Sequence, residues 1–298
     1  MRGLFFSLPA FCLALMAQPS VAQPLVGTLA RIAETGKVVI GYRAAEPPFS
    51  FEGANGEIIG FSIDLCQKIV ERIGETLGRD NLEVEYLVAT PATRFILVKS
   101  GTVDLECAAT TNNAERRETV DFSYPHFMTA THFVSRRADN IGSVEDLAGR
   151  SVTSASGTVN IDQLNALNRE KQLNIAVMPT KSNEDAFDLV VTGRASAFVM
   201  DGILLAAMIA STPEPADYVL STDTLSPPEP YGLMLQRNDP AFKTLVDETL
   251  REVFTSGEID AIYAKWFTSP IPPNGSNLNL PMSPDLQQAF ANPEEYTK

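Results

Sequence analysis

The segment GFSIDLCQKIVERIGETLGRDNLEVEYLVA, residues 60–89, joins a helix pattern directly to a strand pattern. In its first half, large apolar side chains recur every four residues, at Phe61, Leu65, Ile69, Ile73 and Leu77. This spacing predicts an amphipathic helix that ends at Gly78, because glycine readily adopts the left-handed conformation found at helix C-termini. Residues 82–89 then largely alternate apolar and polar side chains, which is typical of a strand.

Similar patterns lie on both sides of this segment. Residues 36–43 (GKVVIGYR) and 102–109 (TVDLECAA) predict strands, and residues 93–101 predict a short helix. Because a strand, a crossover helix and a second strand normally leave the two strands parallel, we predict a parallel sheet covered by helices.

A second run of the same kind follows residue 136. Strands are predicted at 149–156, 173–179 and 194–200, and helices at 157–171, 183–193 and 201–211. After the Pro-rich stretch LSPPEPYG, one more strand and a helix with Pro in its first turn are predicted at 231–238 and 239–257. The chain is therefore expected to be an α/β protein with two similar lobes. It would cross between them near residues 124–134 and 222–233.

The N-terminus has the features of a signal peptide. Arg2 precedes an apolar run at residues 4–16, and Ser20-Val21-Ala22 supplies small residues for cleavage after Ala22. Residues 1–22 are therefore predicted to be removed on export to the periplasm. No later stretch reaches the length of a membrane span, so direct insertion into the membrane is not expected.

Composition narrows the possible functions. The formal net charge is −14 at pH 7, which argues against nucleic acid or an anionic membrane as a partner. The sequence has two histidines, no Cys/His spacing typical of metal sites, no Gly-rich phosphate loop and no G-x-S-x-G motif. No metal and no cofactor are expected. Cys66 and Cys107 remain after export and are expected to form a disulfide, the alternative being two buried thiols.

Polar residues follow several of the predicted strands. In open parallel sheets, ligands bind beyond the carboxyl ends of the strands. The candidates at these positions are Arg43, Arg94, Thr111, Arg116, Thr158 and Asp201. Each also has a purely structural interpretation, either as a solvated charge or as a helix cap.

This set of residues suits an α-amino acid. A guanidinium group can hold the α-carboxylate through two hydrogen bonds, and an acid can hold the α-ammonium group. Arg116 and Asp201 are the candidates for these roles. Arg117 cannot share a helix face with Arg116, so at most one of the pair points inwards. Arg43 and Arg94 would be surplus unless the ligand side chain is also anionic.

Six motifs resemble those of a known family: GYRAAEPPFSF, GFSIDLC, SGTVDLECAATTNNAERRETVDFSYP, DLAGRSVTSASGT, GRASAFVMDG and YGLMLQRNDPAF. Their order is similar to that of the periplasmic solute-binding proteins of polar amino acid ABC importers, from about residue 28 to 275. The segment ECAATTNNAERR, together with PIPP after KWF, resembles the glutamate/aspartate-binding branch.

This resemblance implies a type II periplasmic-binding fold, in which two crossing strands join two α/β lobes. Lobe 1 would comprise residues 23–127 and 231–298, and lobe 2 residues 128–230. It also implies a monomer that delivers its ligand to an inner-membrane ABC permease.

The resemblance assigns roles to the candidate residues. Arg116 would hold the α-carboxylate with help from Thr111 and Thr158, and Asp201 would hold the α-ammonium group. Arg43 and Arg94 would hold the distal carboxylate of an acidic ligand.

Three positions depart from the pattern of that branch. Pro91 and Ala109 replace serines, and Asn183 stands where the branch has a histidine. Because an amide carries no charge, Asn183 leaves open whether the ligand is glutamate, aspartate, glutamine or asparagine.

Two other functions remain open. Cyclohexadienyl dehydratase resembles this fold but has an added general acid, for which Glu46 is the nearest candidate, although we expect Glu46 to be an exposed loop residue. A sensor subunit that presents its closed form to a receptor is the other possibility.

Overall fold

The computed structural model describes residues 25–296, so the predicted signal peptide lies outside the described residues. The α/β prediction is confirmed. The strands are β1 (Lys37–Tyr42), β2 (Ala45–Glu46), β3 (Ser50–Glu52), β4 (Ile58–Ile59), β5 (Glu83–Val88), β6 (Leu105–Glu106), β7 (Asp121–Thr129), β8 (Thr131–Arg136), β9 (Ser151–Ala155), β10 (Ala176–Thr180), β11 (Ala197–Asp201), β12 (Tyr218–Leu220) and β13 (Glu229–Leu235).

Helices alternate with these strands. They are α1 (Gly27–Thr35), α2 (Phe61–Leu77), α3 (Arg94–Lys99), α4 (Val159–Glu170), α5 (Asn183–Val191), α6 (Gly202–Ala210), α7 (Pro240–Thr255), α8 (Glu258–Tyr263) and α9 (Pro284–Ala291). A π-helical turn, Ala264–Thr268, continues α8. The sequence predictions missed α9, although Ser283 caps it through a hydrogen bond from the backbone N–H of Leu286.

Two five-stranded sheets form the framework. The first has the order β5-β1-β6-β13-β7, and the second β10-β9-β11-β8-β12. In each sheet three neighbouring strands are parallel as predicted, whereas the strands that carry the chain between the sheets run antiparallel to their neighbours. The chain crosses from β7 to β8 and returns from β12 to β13. The three-stranded antiparallel sheet β2-β3-β4 was not predicted.

An aromatic cluster lies where the crossing strands leave the first sheet. Phe49 is at its centre, with ring centroids 5.0 Å from Phe127 of β7 and 5.3 Å from Tyr231 of β13. Phe61, the first residue of α2, extends the cluster to Phe267, at 5.1 Å. All five side chains are buried, so the two crossing strands share one apolar anchor with the helix that the sequence pattern predicted.

The predicted disulfide is present. It joins Cys66 of α2 to Cys107, the residue that follows β6, with the two Cα atoms 6.3 Å apart. The bond ties the helix to the carboxyl end of β6 in the first sheet. Among residues 25–296, no helix is both long and apolar enough to cross a membrane.

Candidate functional site

The predicted site residues lie at the carboxyl edges of the two sheets, where the lobes face each other. Six of them are at most 6% exposed: Arg43, Arg94, Thr111, Thr158, Asn183 and Asp201. Arg116 is partly buried. Because polar side chains are seldom buried without partners, the contacts at the two ends of this cluster indicate what the site can bind.

Arg116 and Arg117 both lie in a 3₁₀ turn, Arg116–Glu118. Nη1 of Arg116 donates a hydrogen bond of 2.8 Å to the carbonyl oxygen of Thr111, and Nη1 of Arg117 donates one of 2.8 Å to Oδ1 of Asn112. Burial lowers the pKa of Arg116, and the charge of Arg94 lowers it further, whereas the charge of Asp201 raises it. The Arg116 guanidinium therefore shares a site with a carboxylate of the second sheet, and it stays protonated at neutral pH because its ordinary pKa is so high.

Asp201 ends β11 and is held by residues of both lobes. Nδ2 of Asn160 donates to Oδ1 at 2.8 Å, and the hydroxyl of Tyr231 donates to Oδ2. Burial raises the pKa of Asp201 to about 6, although these two hydrogen bonds oppose the rise. Asp201 occupies the N-cap position of α6, but its side chain makes no capping hydrogen bond there. Both carboxylate oxygens are instead oriented by neighbours that sequence reasoning missed.

The two threonines at this end have backbone contacts. Thr158 precedes α4, and its hydroxyl donates to the carbonyl oxygen of Ala155 at 2.7 Å. Thr111 forms a β-bridge with Tyr231, which brings the segment that contains Arg116 next to the returning strand β13. The Thr111 carbonyl and the Tyr231 hydroxyl thereby position the guanidinium of Arg116 and the carboxylate of Asp201.

Arg94 stands between the two ends of the site. It begins α3, and its Nη2 donates to the carbonyl oxygen of Gly157 in the other lobe, at 3.4 Å. The guanidinium groups of Arg94 and Arg116 both pack on the ring of Phe95, at 5.3 and 5.2 Å from its centroid. Burial lowers the pKa of Arg94, and the charge of buried Glu106 opposes this more than any other group. Glu106 is thus a counter-charge that sequence reasoning missed.

Gly157 allows the lobes to approach each other at this point. Its φ is +81°, and a Cβ there would lie 2.9 Å from the carbonyl oxygen of Pro91. Only glycine combines this backbone conformation with so close an approach. The loop before α4 can therefore reach the start of α3 across the cleft.

The opposite end of the site is built around Glu46. We expected an exposed side chain here, and that expectation was wrong: Glu46 is 3% exposed. Its burial follows from the pairing of β2 with β3, which leaves Ala45 on the exposed side of the strand and turns Glu46 inwards. Oε1 of Glu46 lies 2.8 Å from Nη1 of Arg43, and Nδ2 of Asn183, from the second lobe, donates to it at 3.3 Å.

The fold and the charged cleft between two α/β lobes define a two-lobed ligand-binding protein. Residues 38–269 match the sequence profile of the bacterial extracellular solute-binding proteins, family 3, and the chain belongs to this family. The resemblance seen in the sequence is therefore confirmed.

Two curated relatives match nearly the whole chain. The L-glutamate/L-aspartate-binding protein of Pseudomonas aeruginosa is 42% identical over 287 residues, which cover 96% of this chain and 95% of that protein. The glutamate/aspartate import solute-binding protein of Escherichia coli is 36% identical over 281 residues, which cover 94% of this chain and 93% of that protein.

The fold is also found among solved structures. An ancestral amino acid-binding protein, described as a precursor of cyclohexadienyl dehydratase, has a TM-score of 0.70 and 29% identity to this chain. The similarity covers 81% of this chain and 100% of that structure. The type II periplasmic-binding fold is thus shown by structure as well as by sequence.

Proposed function

We propose that this chain is the extracytoplasmic solute-binding subunit of an ABC importer. It binds L-glutamate or L-aspartate between its lobes in the periplasm and delivers the ligand, as a monomer, to an inner-membrane permease. The names of the relatives support this function, since both bind glutamate and aspartate and one belongs to an import system. The lobes then correspond to residues 23–127 with 231–298 and to residues 128–230.

The observation that carries the proposal is a pair of opposite charges at one end of the cleft, the partly buried Arg116 and the buried Asp201. Arg116 of the first lobe and Asp201 of the second influence each other's pKa, as two charges that face a common site would. An α-amino acid complements both, because its carboxylate accepts from the guanidinium and its ammonium group donates to the acid. Thr111 and Thr158 supply further polar contacts for the α-carboxylate.

The acidic preference rests on the other end. Arg43 and Arg94 bring two positive charges to the region where the ligand side chain would lie, and both are nearly fully buried. Glu46 and Glu106 already offset part of this charge, and a distal carboxylate of glutamate or aspartate would accept hydrogen bonds from the two guanidinium groups. Asn183 would add an amide at this end of the ligand.

Dehydratase activity on the same fold is the second candidate function. It is favoured by the burial of Glu46, which raises the pKa of this carboxyl group, as a general acid requires. We nevertheless propose a binding protein and not an enzyme. Both relatives that match nearly the whole chain are named as binding proteins.

Titration calorimetry tests these alternatives directly. The mature chain is titrated with L-glutamate, L-aspartate, L-glutamine, L-asparagine and L-arginine, and incubated separately with prephenate and arogenate. We expect one acidic amino acid bound per chain without turnover. Preferred binding of arginine would contradict the acidic assignment, and product formed from prephenate or arogenate would favour the enzyme.

A further inference from the structure

Unpaired polar atoms concentrate at the Glu46 end of the cleft. Among residues 25–296, six buried side-chain nitrogen and oxygen atoms make no hydrogen bond within the protein; three of them belong to this end and a fourth to Arg94, which stands between the two ends. These four are Nη1 of Arg43, Oε2 of Glu46, Nε of Arg94 and Oδ1 of Asn183. Because an unpaired buried polar atom is costly, such a cluster indicates where a ligand makes its hydrogen bonds.

The four atoms comprise two donors and two acceptors. Arg43 and Arg94 supply N–H groups, whereas Glu46 and Asn183 supply oxygens. Nη1 of Arg43 lies 2.8 Å from Oε1 of Glu46, but the pair lacks the alignment of a hydrogen bond, so this N–H remains unpaired. A complementary ligand group must therefore both accept and donate.

A carboxylate meets only half of this requirement, because it accepts hydrogen bonds and cannot donate them. A ligand carboxylate next to Oε2 of an ionised Glu46 would also bring two negative charges together. Such contact disfavours the ionised form of one of the two carboxyl groups. A carboxamide meets the whole requirement, since its oxygen accepts from the arginines and its NH₂ group donates to Glu46 or Asn183.

We propose that Glu46 is a specificity-determining residue, which selects a ligand side chain ending in a group that both accepts and donates hydrogen bonds. This proposal rests on the proposed function and refines it. Glutamine or asparagine binds with Glu46 ionised. Glutamate or aspartate binds when one proton is taken up from solvent by Glu46, whose carboxylic acid then donates to the distal carboxylate.

The surroundings of Glu46 are consistent with such proton uptake. The charged and titratable groups that interact with it are Arg43 beside it on the same hairpin, Arg94 of α3, Glu106 of β6, Glu184 of α5 and Tyr231 of β13. Burial raises the pKa of Glu46, and Glu184 raises it further, while the two arginines and the backbone N–H of Ala109 lower it. A ligand carboxylate would add another negative charge and raise it again.

The test is the ratio of the dissociation constants for L-glutamate and L-glutamine, measured calorimetrically between pH 6 and 8. The titration of Asp201 cancels in this ratio because it faces the α-ammonium group of both ligands. In the native chain we expect the ratio to increase with pH by up to about tenfold per pH unit, the limit for one proton. In Glu46→Gln the ratio should be independent of pH and, at pH 8, shifted towards glutamate.

Glu184→Gln is the matched control. It removes an exposed carboxylate near Glu46 that is not among the unpaired atoms, so the pH dependence of the ratio should remain. Thermal unfolding reports whether each variant is folded, and Glu46→Ser provides a second variant if Glu46→Gln is not.

Two results would overturn the proposal: a ratio that does not change with pH in the native chain, or a pH dependence that persists in Glu46→Gln. If both amino acids bind in either case, the proposed function stands and only the role of Glu46 is lost. If neither binds the native chain, the proposed function fails, and the role of Glu46 fails with it.

Discussion

The two ends of the cleft differ in how their polar atoms are paired. At the Asp201 end, both carboxylate oxygens accept hydrogen bonds, from Asn160 and Tyr231, and Arg116 donates to Thr111. At the Glu46 end and on neighbouring Arg94, four buried atoms have no hydrogen-bond partner in the protein. The first end is already organised for its ligand, whereas the second depends on the ligand for its hydrogen bonds.

This difference corresponds to what the ligands share and where they differ. Every α-amino acid has the same carboxylate and ammonium group, so a fixed arrangement at the Asp201 end suits all of them and lowers the cost of ordering on binding. Side chains differ, and selectivity depends on whether they pair the atoms at the Glu46 end. The comparison leads to four predictions, beginning with the largest effect.

Arg116→Ala should abolish binding of glutamate and glutamine alike, because both have the α-carboxylate. The loss of a charged partner in a desolvated site is expected to cost about 2–5 kcal/mol, a tens- to thousands-fold weaker affinity. Titration calorimetry with both ligands measures it. Arg117→Ala is the matched control and should have little effect, since its guanidinium is paired with Asn112 on the first lobe. If Arg117→Ala abolished binding instead, Arg117 and not Arg116 would be the residue that binds the α-carboxylate.

Asp201→Asn should weaken the binding of both glutamate and glutamine, and it should stabilise the ligand-free chain at pH 7. The pKa of Asp201 is raised from 3.8 to about 6, so the folded state binds its proton more tightly than the unfolded state. The stability that the protonated form contributes is therefore lost as pH rises from about 4 to 6. At pH 7 this loss lowers the free energy of unfolding by roughly 3 kcal/mol. An asparagine side chain does not titrate, so the variant would not lose this stability. Thermal unfolding at pH 5 and 7 measures this gain, which should be larger at pH 7. If the Asp201→Asn variant kept its affinity for both ligands, Asp201 would not be the residue that binds the α-ammonium group.

The same pKa sets the pH range of binding. As pH falls through about 6, Asp201 takes up a proton and loses its attraction for the ligand ammonium group. Binding of glutamine, which has no titrating side chain, should therefore weaken below pH 6. A glutamine affinity that is constant from pH 5 to 7 would contradict this role.

Arg94→Ala should have the smallest effect on affinity and the most selective one. Its loss should weaken the binding of glutamate more than that of glutamine, because only glutamate has a distal charge. Arg43→Ala should change the two affinities in the same direction. The ratio of the two affinities is the measurement, and in Arg116→Ala that ratio should stay unchanged. If Arg94→Ala weakened both ligands equally while Arg116→Ala changed the ratio, the roles of the two ends would be reversed.

Much of the Asp201 end could be predicted from local pattern. Asp201 immediately follows one strand pattern and Thr111 lies just beyond another, and the rule that ligands bind at the carboxyl ends of parallel strands places both at the cleft. The disulfide between Cys66 and Cys107 could likewise be predicted, from the cysteine count and the export signal. Tyr231 and Asn160 were missed because their value lies in a contact with Asp201, not in a local pattern.

The part played by Glu46 could not be predicted in the same way, although Arg43 and Asn183 beside it were. The sequence AAEPPF is typical of an exposed loop, and nothing in it indicates burial. Burial of Glu46 depends on a short pairing of β2 with β3 and on Asn183, which is 137 residues away in the chain and belongs to the other lobe. Glu106 was missed for a related reason, since its role as a counter-charge requires the approach of Arg94 from α3.

The sequence by itself determined the alternation of strands and helices, the two crossings and the positions of charged residues beyond the strand ends. These features depend on periodicity and on positions at strand ends, which are properties of short segments. Only the tertiary structure decided which charges are compensated and which polar atoms remain unpaired. Burial and pairing are properties of side chains brought together from both lobes, and the balance between desolvation and nearby charge exists only where those side chains meet.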